Sequence, residues 1–287
     1  MSETRPELEF TGERFTPECV REIWYEHWHR YAFAREFAHG KRVLDAACGE
    51  GYGSALLAGP AASVLGVDIA DNAIAHARAR YGAQPNLAFQ RGDCTALDVA
   101  AGSFDLITSF ETLEHVQAQE NLIAGFARAL APDGVLLVSS PDKHTYSDIS
   151  GFRNEFHVRE LYRDELLALL APRFPHVRLY GQKLLFQSAI WAMDAAPRSV
   201  AATTIPSTGT GPVPGLDYAP LYFIAVCSRQ PLPAMPDLAL FGDREESVYR
   251  HYNGEVRKNM AAGGRIAELE AEIAALRQQL AKSKAQP

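Results

Sequence analysis

Cysteine is scarce and scattered: only Cys19, Cys48, Cys94 and Cys227 occur in 287 residues, and no two have the CxxC spacing of a zinc or redox motif. That scatter excludes a disulfide framework. With an acidic start from Met1 to Glu9 in place of a secretory leader, it makes a cytoplasmic location the expectation. Positive charge is also short, 28 Lys and Arg against 35 Asp and Glu for a net charge of −7, so no nucleic-acid partner is expected. No apolar run approaches bilayer length, and no membrane span is expected. The apolar residues within Leu184 to Met193 read as a packed segment, with contact to lipid as the alternative. The His, Glu and Asp residues share no recognised ligand spacing, so no metal is expected. What is present, 47% apolar composition, suffices for one large α/β core with appendages, as in a soluble enzyme.

Residues 43 to 53, Val-Leu-Asp-Ala-Ala-Cys-Gly-Glu-Gly-Tyr-Gly, set an apolar strand and an acid ahead of three alternating glycines and a helix start. Glycine lets backbone approach a ligand and tolerates positive φ, so Gly49, Gly51 and Gly53 read as the ligand turn of an open α/β sheet. A dinucleotide would put its pyrophosphate here, unfavourably close to Asp45, and the third small position of the dinucleotide pattern is occupied by Ser54. A cationic ligand has no such conflict. S-adenosylmethionine, with its sulfonium and ammonium, fits the acid better than NAD does.

Two further acids repeat the arrangement. Val64 to Asp68 is a second apolar run closed by a carboxylate, 23 residues after Asp45 and near the spacing of a ribose ligand. Leu87 to Gln90 leads to Gly92-Asp93, and Phe104 to Ser109 follows. Because ligands of open α/β sheets bind beyond the carboxyl ends of the strands, Asp45, Asp68 and Asp93 are expected to converge on one crevice. Each acid taken alone also reads as a solvated helix cap.

Val43 to Gly53, Asp68, Gly92-Asp93, Ser103 to Val116 and Leu130 to Val138 together resemble the successive motifs of class I S-adenosylmethionine-dependent methyltransferases. Glu111-Thr112-Leu113-Glu114-His115 is similar to the segment after the fourth strand in the quinone-biosynthesis type of that family. The resemblance implies a Rossmann-like, doubly wound, mostly parallel seven-stranded sheet with helices on both faces and its last two strands antiparallel. It implies S-adenosylmethionine as methyl donor, with Asp45 and the turn Ala47, Cys48, Gly49 and Gly51 on the methionine part. Asp68 and its neighbour Ile69 fall on the ribose side, and Asp93 and Cys94 on the adenine. Ala47 departs from the glycine of many relatives and narrows the turn.

Helices are expected at Gly51 to Leu57, Asp71 to Tyr81, Gln117 to Leu130 and Arg163 to Leu170, alternating with the strands. Pro132-Asp133-Gly134 reads as a turn into a strand over Val135 to Ser139, and further strands are expected around Val177 to Tyr180 and Leu221 to Cys227. Thr16-Pro17-Glu18 can open an N-terminal cap helix that Gly40 ends. The expected organisation is a cap region over 1–40, the methyltransferase domain over 41–229 with a long loop at 195–218, a linker and tail over 230–261, and a coiled-coil helix over 262–284. In that helix Ile266, Leu269, Ile273, Leu276 and Leu280 recur at spacings of 3 and 4, with Glu272 and Arg277 flanking the stripe, so a parallel homodimer is expected. A single amphipathic helix lying on the domain is the alternative reading.

Methyl transfer to a hydroxyl needs a base, and imidazole titrates near neutrality. His157, in Asn154-Glu155-Phe156-His157-Val158-Arg159-Glu160, ranks first as base or acceptor ligand, with Glu111 and His115 expected to share a helical face pointing into the crevice. In Glu26 to Tyr31 of the cap helix, His27 and Tyr31 lie on one face and Glu26 and Arg30 on another, with a solvated ion pair as the plain reading of the second. The expected reaction is O-methylation of a small polar or saccharide acceptor. The alternatives are a quinone-like or lipid acceptor met through Leu184 to Trp191, a nicotinamide-dependent sugar enzyme, and a silent fold that recruits partners by its coil.

Overall fold

A computed structural model describes residue 16 and residues 22–190, 192–194, 200–207 and 211–284, with side chains to residue 280. The expected helix start at Thr16-Pro17-Glu18 and the residue Trp191 lie partly or wholly outside the described residues. Two compact units are present, one holding Ile23–Leu240 and the other built on Phe241–Pro287.

In the first unit the chain runs α1 (Glu22–Arg35), β1 (Arg42–Ala46), α2 (Tyr52–Ala58), β2 (Ser63–Asp68), α3 (Asp71–Tyr81), β3 (Leu87–Arg91), β4 (Phe104–Ser109), α4 (Gln119–Ala129) and β5 (Leu130–Pro141). It continues through α5 (Arg163–Leu170), β6 (His176–Gln182), the two-residue strands β7 (Thr203–Thr204) and β8 (Val213–Pro214), and β9 (Tyr222–Ser228). Seven strands form one sheet in the order β3-β2-β1-β4-β5-β9-β6. The first five pair in parallel, and β9 is antiparallel to both neighbours.

The strands are apolar on successive residues because both sheet faces are covered. Leu44, Ile107, Leu136 and Cys227 turn to the face packed by Leu122, Ile123 and Phe126 of α4 and by Leu166 and Leu170 of α5. Their neighbours Val43, Leu106, Leu137 and Val226 turn to the other face, against Tyr31 and Ala34 of α1, Leu57 of α2, and Ile74 and Ala77 of α3. Each fully buried Leu or Phe in these two layers contributes about 2 kcal/mol of transfer free energy. The sheet order reverses between β1 and β4, which opens a crevice at their carboxyl ends.

One strand start and one packing expectation change. β5 starts at Leu130 rather than Val135, because Leu130 pairs with Phe104 and Val135 with Leu106, so the Pro132-Asp133-Gly134 turn sits inside the strand as an irregularity. The segment expected to pack near Leu184 to Met193 instead exposes Phe186, Ile190 and Met193.

The second unit is dominated by α6 (Ser247–Lys284), a helix of 38 residues that begins within the expected linker. Ile266, Leu269, Ile273, Leu276 and Leu280 are each 41% exposed or more, so within the chain the stripe is uncovered. No helix among the described residues is long and apolar enough to cross a membrane.

Candidate active site

The glycine turn leaves β1 and wraps over the end of β2. Three of its residues have left-handed backbone, Ala47 at φ 60°, Gly49 at 55° and Gly51 at 94°. A glycine at the first of these would relax a strain of order 1 kcal/mol that Ala47 carries. Gly51 needs its missing side chain as well, since a Cβ there would lie 2.7 Å from that of Ala77. Gly53 has a different role from the one expected: it belongs to α2, and a Cβ on it would meet the Tyr31 ring at 2.0 Å. It is small so that α1 can close on the turn, not so that a ligand can.

The first two carboxylates frame this turn. Asp45 is fully buried and accepts from Ser54 Oγ at 2.6 Å, Thr108 Oγ1 at 2.8 Å and Tyr31 Oη at 3.1 Å, which sets it beneath the turn. Burial pushes its carboxyl up to about 6, against the hydrogen bonds that favour the anion. Asp68 accepts from the Gly49 amide through Oδ2 and from the Ala70 amide through Oδ1, both at 2.9 Å. The next residue, Ile69, is 63% exposed at the crevice edge.

Asp93 caps a short 3-10 turn, Cys94–Ala96, by accepting from Thr95 N and Oγ1 through Oδ1. Burial pushes the Cys94 thiol up to about 12, and the charges of Asp68, Asp93 and Asp45 add to that effect. Burial raises the Cys48 thiol too. Both sulfurs therefore stay protonated and are not nucleophiles.

Arg30 of α1 is 1% exposed. Its Nε donates to Gln182 Oε1 at 2.8 Å, its guanidinium lies 4.4 Å over the Tyr222 ring, and Nη2 is 3.5 Å from Glu111 Oε2. Neither Nη atom makes a hydrogen bond. Glu26 is buried as well, with its carbonyl accepting from Gln182 Nε2, so this face of α1 is enclosed rather than solvated as the plain reading had it. His27 and His29 are held neutral by burial and by Arg30, His29 at about 4.

Beyond β4 the backbone turns sharply. Glu111 takes φ 50° and hands over to a single 3-10 turn, Leu113–His115, so Glu111 and His115 do not share the expected helical face. Glu111 accepts from Ser139 Oγ at 2.6 Å on the Arg30 side, whereas His115 Nδ1 meets the Phe156 carbonyl at 3.0 Å. The structure does bring His115 to His157, with ring centroids 5.0 Å apart and edge to face, and His157 stacks on Tyr146. His157 Nδ1 lies 2.6 Å from Glu160 Oε1, and its Nε2 is 3.0 Å from the Asn154 amide nitrogen. Glu114, 1% exposed, lies between these turns with both carboxylate oxygens lacking a hydrogen bond, and burial raises its carboxyl well above the usual range.

Residues 44–138 match a family model described as a methyltransferase domain. That match and the curated relatives support a class I S-adenosylmethionine-dependent methyltransferase domain over this segment. Among curated proteins, a probable S-adenosylmethionine-dependent methyltransferase of Mycolicibacterium smegmatis is 38% identical over 167 residues, covering 57% of this chain and 63% of that one. A ubiquinone biosynthesis O-methyltransferase of Idiomarina loihiensis is 33% identical over 128 residues, 42% of this chain and 50% of its own length. The chain thus spans less than two thirds of the curated relatives it matches. Among solved structures, the YcgJ protein of Bacillus subtilis superposes with a TM-score of 0.51 at 20% identity, covering 71% of this chain and 99% of that one, and shows the same fold.

Sequence reasoning placed Arg30 on the cap helix without a role of its own, and it assigned none to Glu50 or Glu114. Glu50, between the glycines, is buried and receives His76 Nε2 at 2.8 Å, Arg80 Nη1 at 2.9 Å and Tyr81 Oη at 2.9 Å, which ties the turn to α3. His76 and Arg80 recur at helical spacing, but nothing local signals their partner.

Asp45 makes stability pH-dependent in the ligand-free domain. An acid raised from 3.8 to about 6 on folding favours the native state fully below 3.8 and loses that contribution as the pH climbs through 6. The loss is roughly 3 kcal/mol. Urea unfolding should show the difference between the native protein and Asp45→Asn changing by about that amount between pH 4 and pH 7. A difference independent of pH would mean that Asp45 titrates normally.

Proposed function

We propose that the protein transfers the methyl group of S-adenosylmethionine to an oxygen of a small polar or saccharide acceptor. The observation that carries this reading is the pairing of His115, which follows β4, with His157, 5.0 Å apart and backed by the Phe156 carbonyl and the Glu160 carboxylate. The cofactor would lie across the ends of β1, β2 and β3. Its ammonium faces the Asp45 side, its carboxylate meets the Nη groups of Arg30, its ribose meets Asp68 and Ile69, and its adenine lies by Asp93 and Cys94. The sulfonium is already activated, so much of the catalysis is alignment for in-line attack. The acceptor O–H proton leaves, the oxygen bonds to the methyl carbon, and the carbon–sulfur bond breaks to give neutral S-adenosylhomocysteine. His157 assists as base or as ligand of the acceptor oxygen, with Glu160 holding its ring.

A second reading, a quinone-like or lipid acceptor, is favoured by the exposed Phe186, Ile190 and Met193 and by the name of the Idiomarina loihiensis relative. Cell extract supplied with labelled methyl donor and then partitioned separates the two: label in the aqueous phase supports the first and label in the organic phase the second. Tight S-adenosylhomocysteine binding with no labelled product would instead favour a silent scaffold. His157→Ala should lower turnover by about 100-fold while leaving S-adenosylhomocysteine affinity within a factor of a few. Unchanged turnover across pH removes His157 from acceptor activation.

The uncovered stripe on α6 supports a parallel homodimer. Leu269→Glu with Ile273→Glu is expected to halve the mass seen by light scattering. A native protein already monomeric at micromolar concentration would overturn the dimer. Cytoplasmic location remains part of the same proposal and rests on the composition.

A further inference from the structure

Glu114, His115 and His157 each place one donor atom within 4.8 Å of the other two. From this cluster we infer a binding site for a divalent transition-metal ion, which takes the acceptor hydroxyl as an additional ligand. The role given to the acceptor rests on the methyltransferase reading; the ion site itself does not.

A cluster of donors is common, and three features set this one apart. Glu114 is 1% exposed, yet neither of its oxygens has a hydrogen-bond partner, and His115 Nε2 is 3.9 Å from Oε1. A buried carboxylate with no donor is costly, and a cation between it and the imidazoles removes that cost. Both imidazoles are also fixed in the way metal ligands are: His115 through Nδ1 to the Phe156 carbonyl, and His157 through Nδ1 to the Glu160 carboxylate. Each Nε2 is thereby left as the basic nitrogen. Finally, the two loops are clasped before any ion arrives, since the Val158 and Arg159 amides both donate to the Glu114 carbonyl, at 2.8 and 3.0 Å.

Closing three such donors to ordinary ligand distances takes side-chain shifts of roughly half to one ångström each. The hydrogen bond of Asn154 Nδ2 to His157 Nε2 is exchanged for the ion. Two imidazoles and one carboxylate select Mn²⁺, Co²⁺, Fe²⁺ or Zn²⁺ over Mg²⁺ and Ca²⁺, which prefer oxygen alone. Three protein ligands leave coordination positions open. With the ion bound, His157 is its ligand in place of the base: an acceptor hydroxyl bound there is acidified, its proton passes to solvent, and the oxygen attacks the methyl group as an alkoxide, releasing S-adenosylhomocysteine.

The test is direct titration of the full chain, stripped with chelator, with Mn²⁺ by electron paramagnetic resonance and with Co²⁺ by visible absorption. One saturable site per chain is expected. Glu114→Gln and His115→Ala should each weaken it at least 10-fold. S-adenosylhomocysteine affinity, measured on the same samples, should stay within a factor of a few and reports that the variants fold. No saturable binding, or binding unaltered in both variants, overturns the site. Metal binding that persists in a protein indifferent to S-adenosylhomocysteine would sink the methyltransferase reading and leave the ion site standing.

Discussion

Asp68→Ala is expected to weaken S-adenosylhomocysteine binding by about 100-fold, with little loss of fold. The carboxylate already accepts one amide on each oxygen, from Gly49 and Ala70. Each oxygen keeps a second lone pair, and the two together match the vicinal hydroxyls of a ribose. Two hydrogen bonds to a charged acceptor contribute roughly 3 kcal/mol between them, hence the factor. The variant also releases the Gly49 amide and loosens the turn, which adds to the loss. Calorimetric titration measures the affinity, and a change of less than 3-fold would take Asp68 out of the cofactor site.

Arg30→Ala is expected to have the largest effect on stability. Truncation strips Gln182 Oε1 and Glu111 of their cationic neighbour and removes the stack on Tyr222, all inside the fold. Removing one partner from such a buried arrangement costs roughly 3–5 kcal/mol. For a domain of this size that lowers Tm by about 10 °C. Arg30→Lys restores the charge but not the planar fork, so it should recover part of the stability and little of the cofactor affinity. Differential scanning calorimetry reads the first effect and titration the second. A Tm within 2 °C of the parent for Arg30→Ala would contradict the burial described here.

The sheet was legible because its strands are covered on both faces and so run apolar without interruption. Phe104–Ser109, Asp71–Tyr81 and Arg163–Leu170 appear with the bounds that the residue pattern suggests. Departures arise where a non-local partner decides. Leu130 extends β5 because Phe104 lies opposite it, and no local turn signal reports that pairing. The start of α6 at Ser247 was hidden because residues 247–261 are mostly polar and precede the heptad stripe. In the proposed site, the positions of the turn and its acids at the strand ends were readable from spacing. The burial of Arg30 and Glu26 was not, since aromatic residues surround α1 and leave its sheet-facing side undefined by periodicity. Glu111 and His115 are four apart, which suggests a common face only where the backbone is helical. The left-handed φ at Glu111 breaks that premise. Glu114 was hidden for a related reason: its partners come from two loops, so no ligand spacing marks it.

The central claim is that a cationic adenosyl ligand lies over the carboxyl ends of β1, β2 and β3. Calorimetric titration of the full chain with S-adenosylhomocysteine, and in parallel with NAD, tests it most directly. Saturable binding of S-adenosylhomocysteine at one site per chain, with no heat from NAD, is the predicted result. A protein that takes up NAD, or that leaves S-adenosylhomocysteine unbound at millimolar concentration, would contradict it.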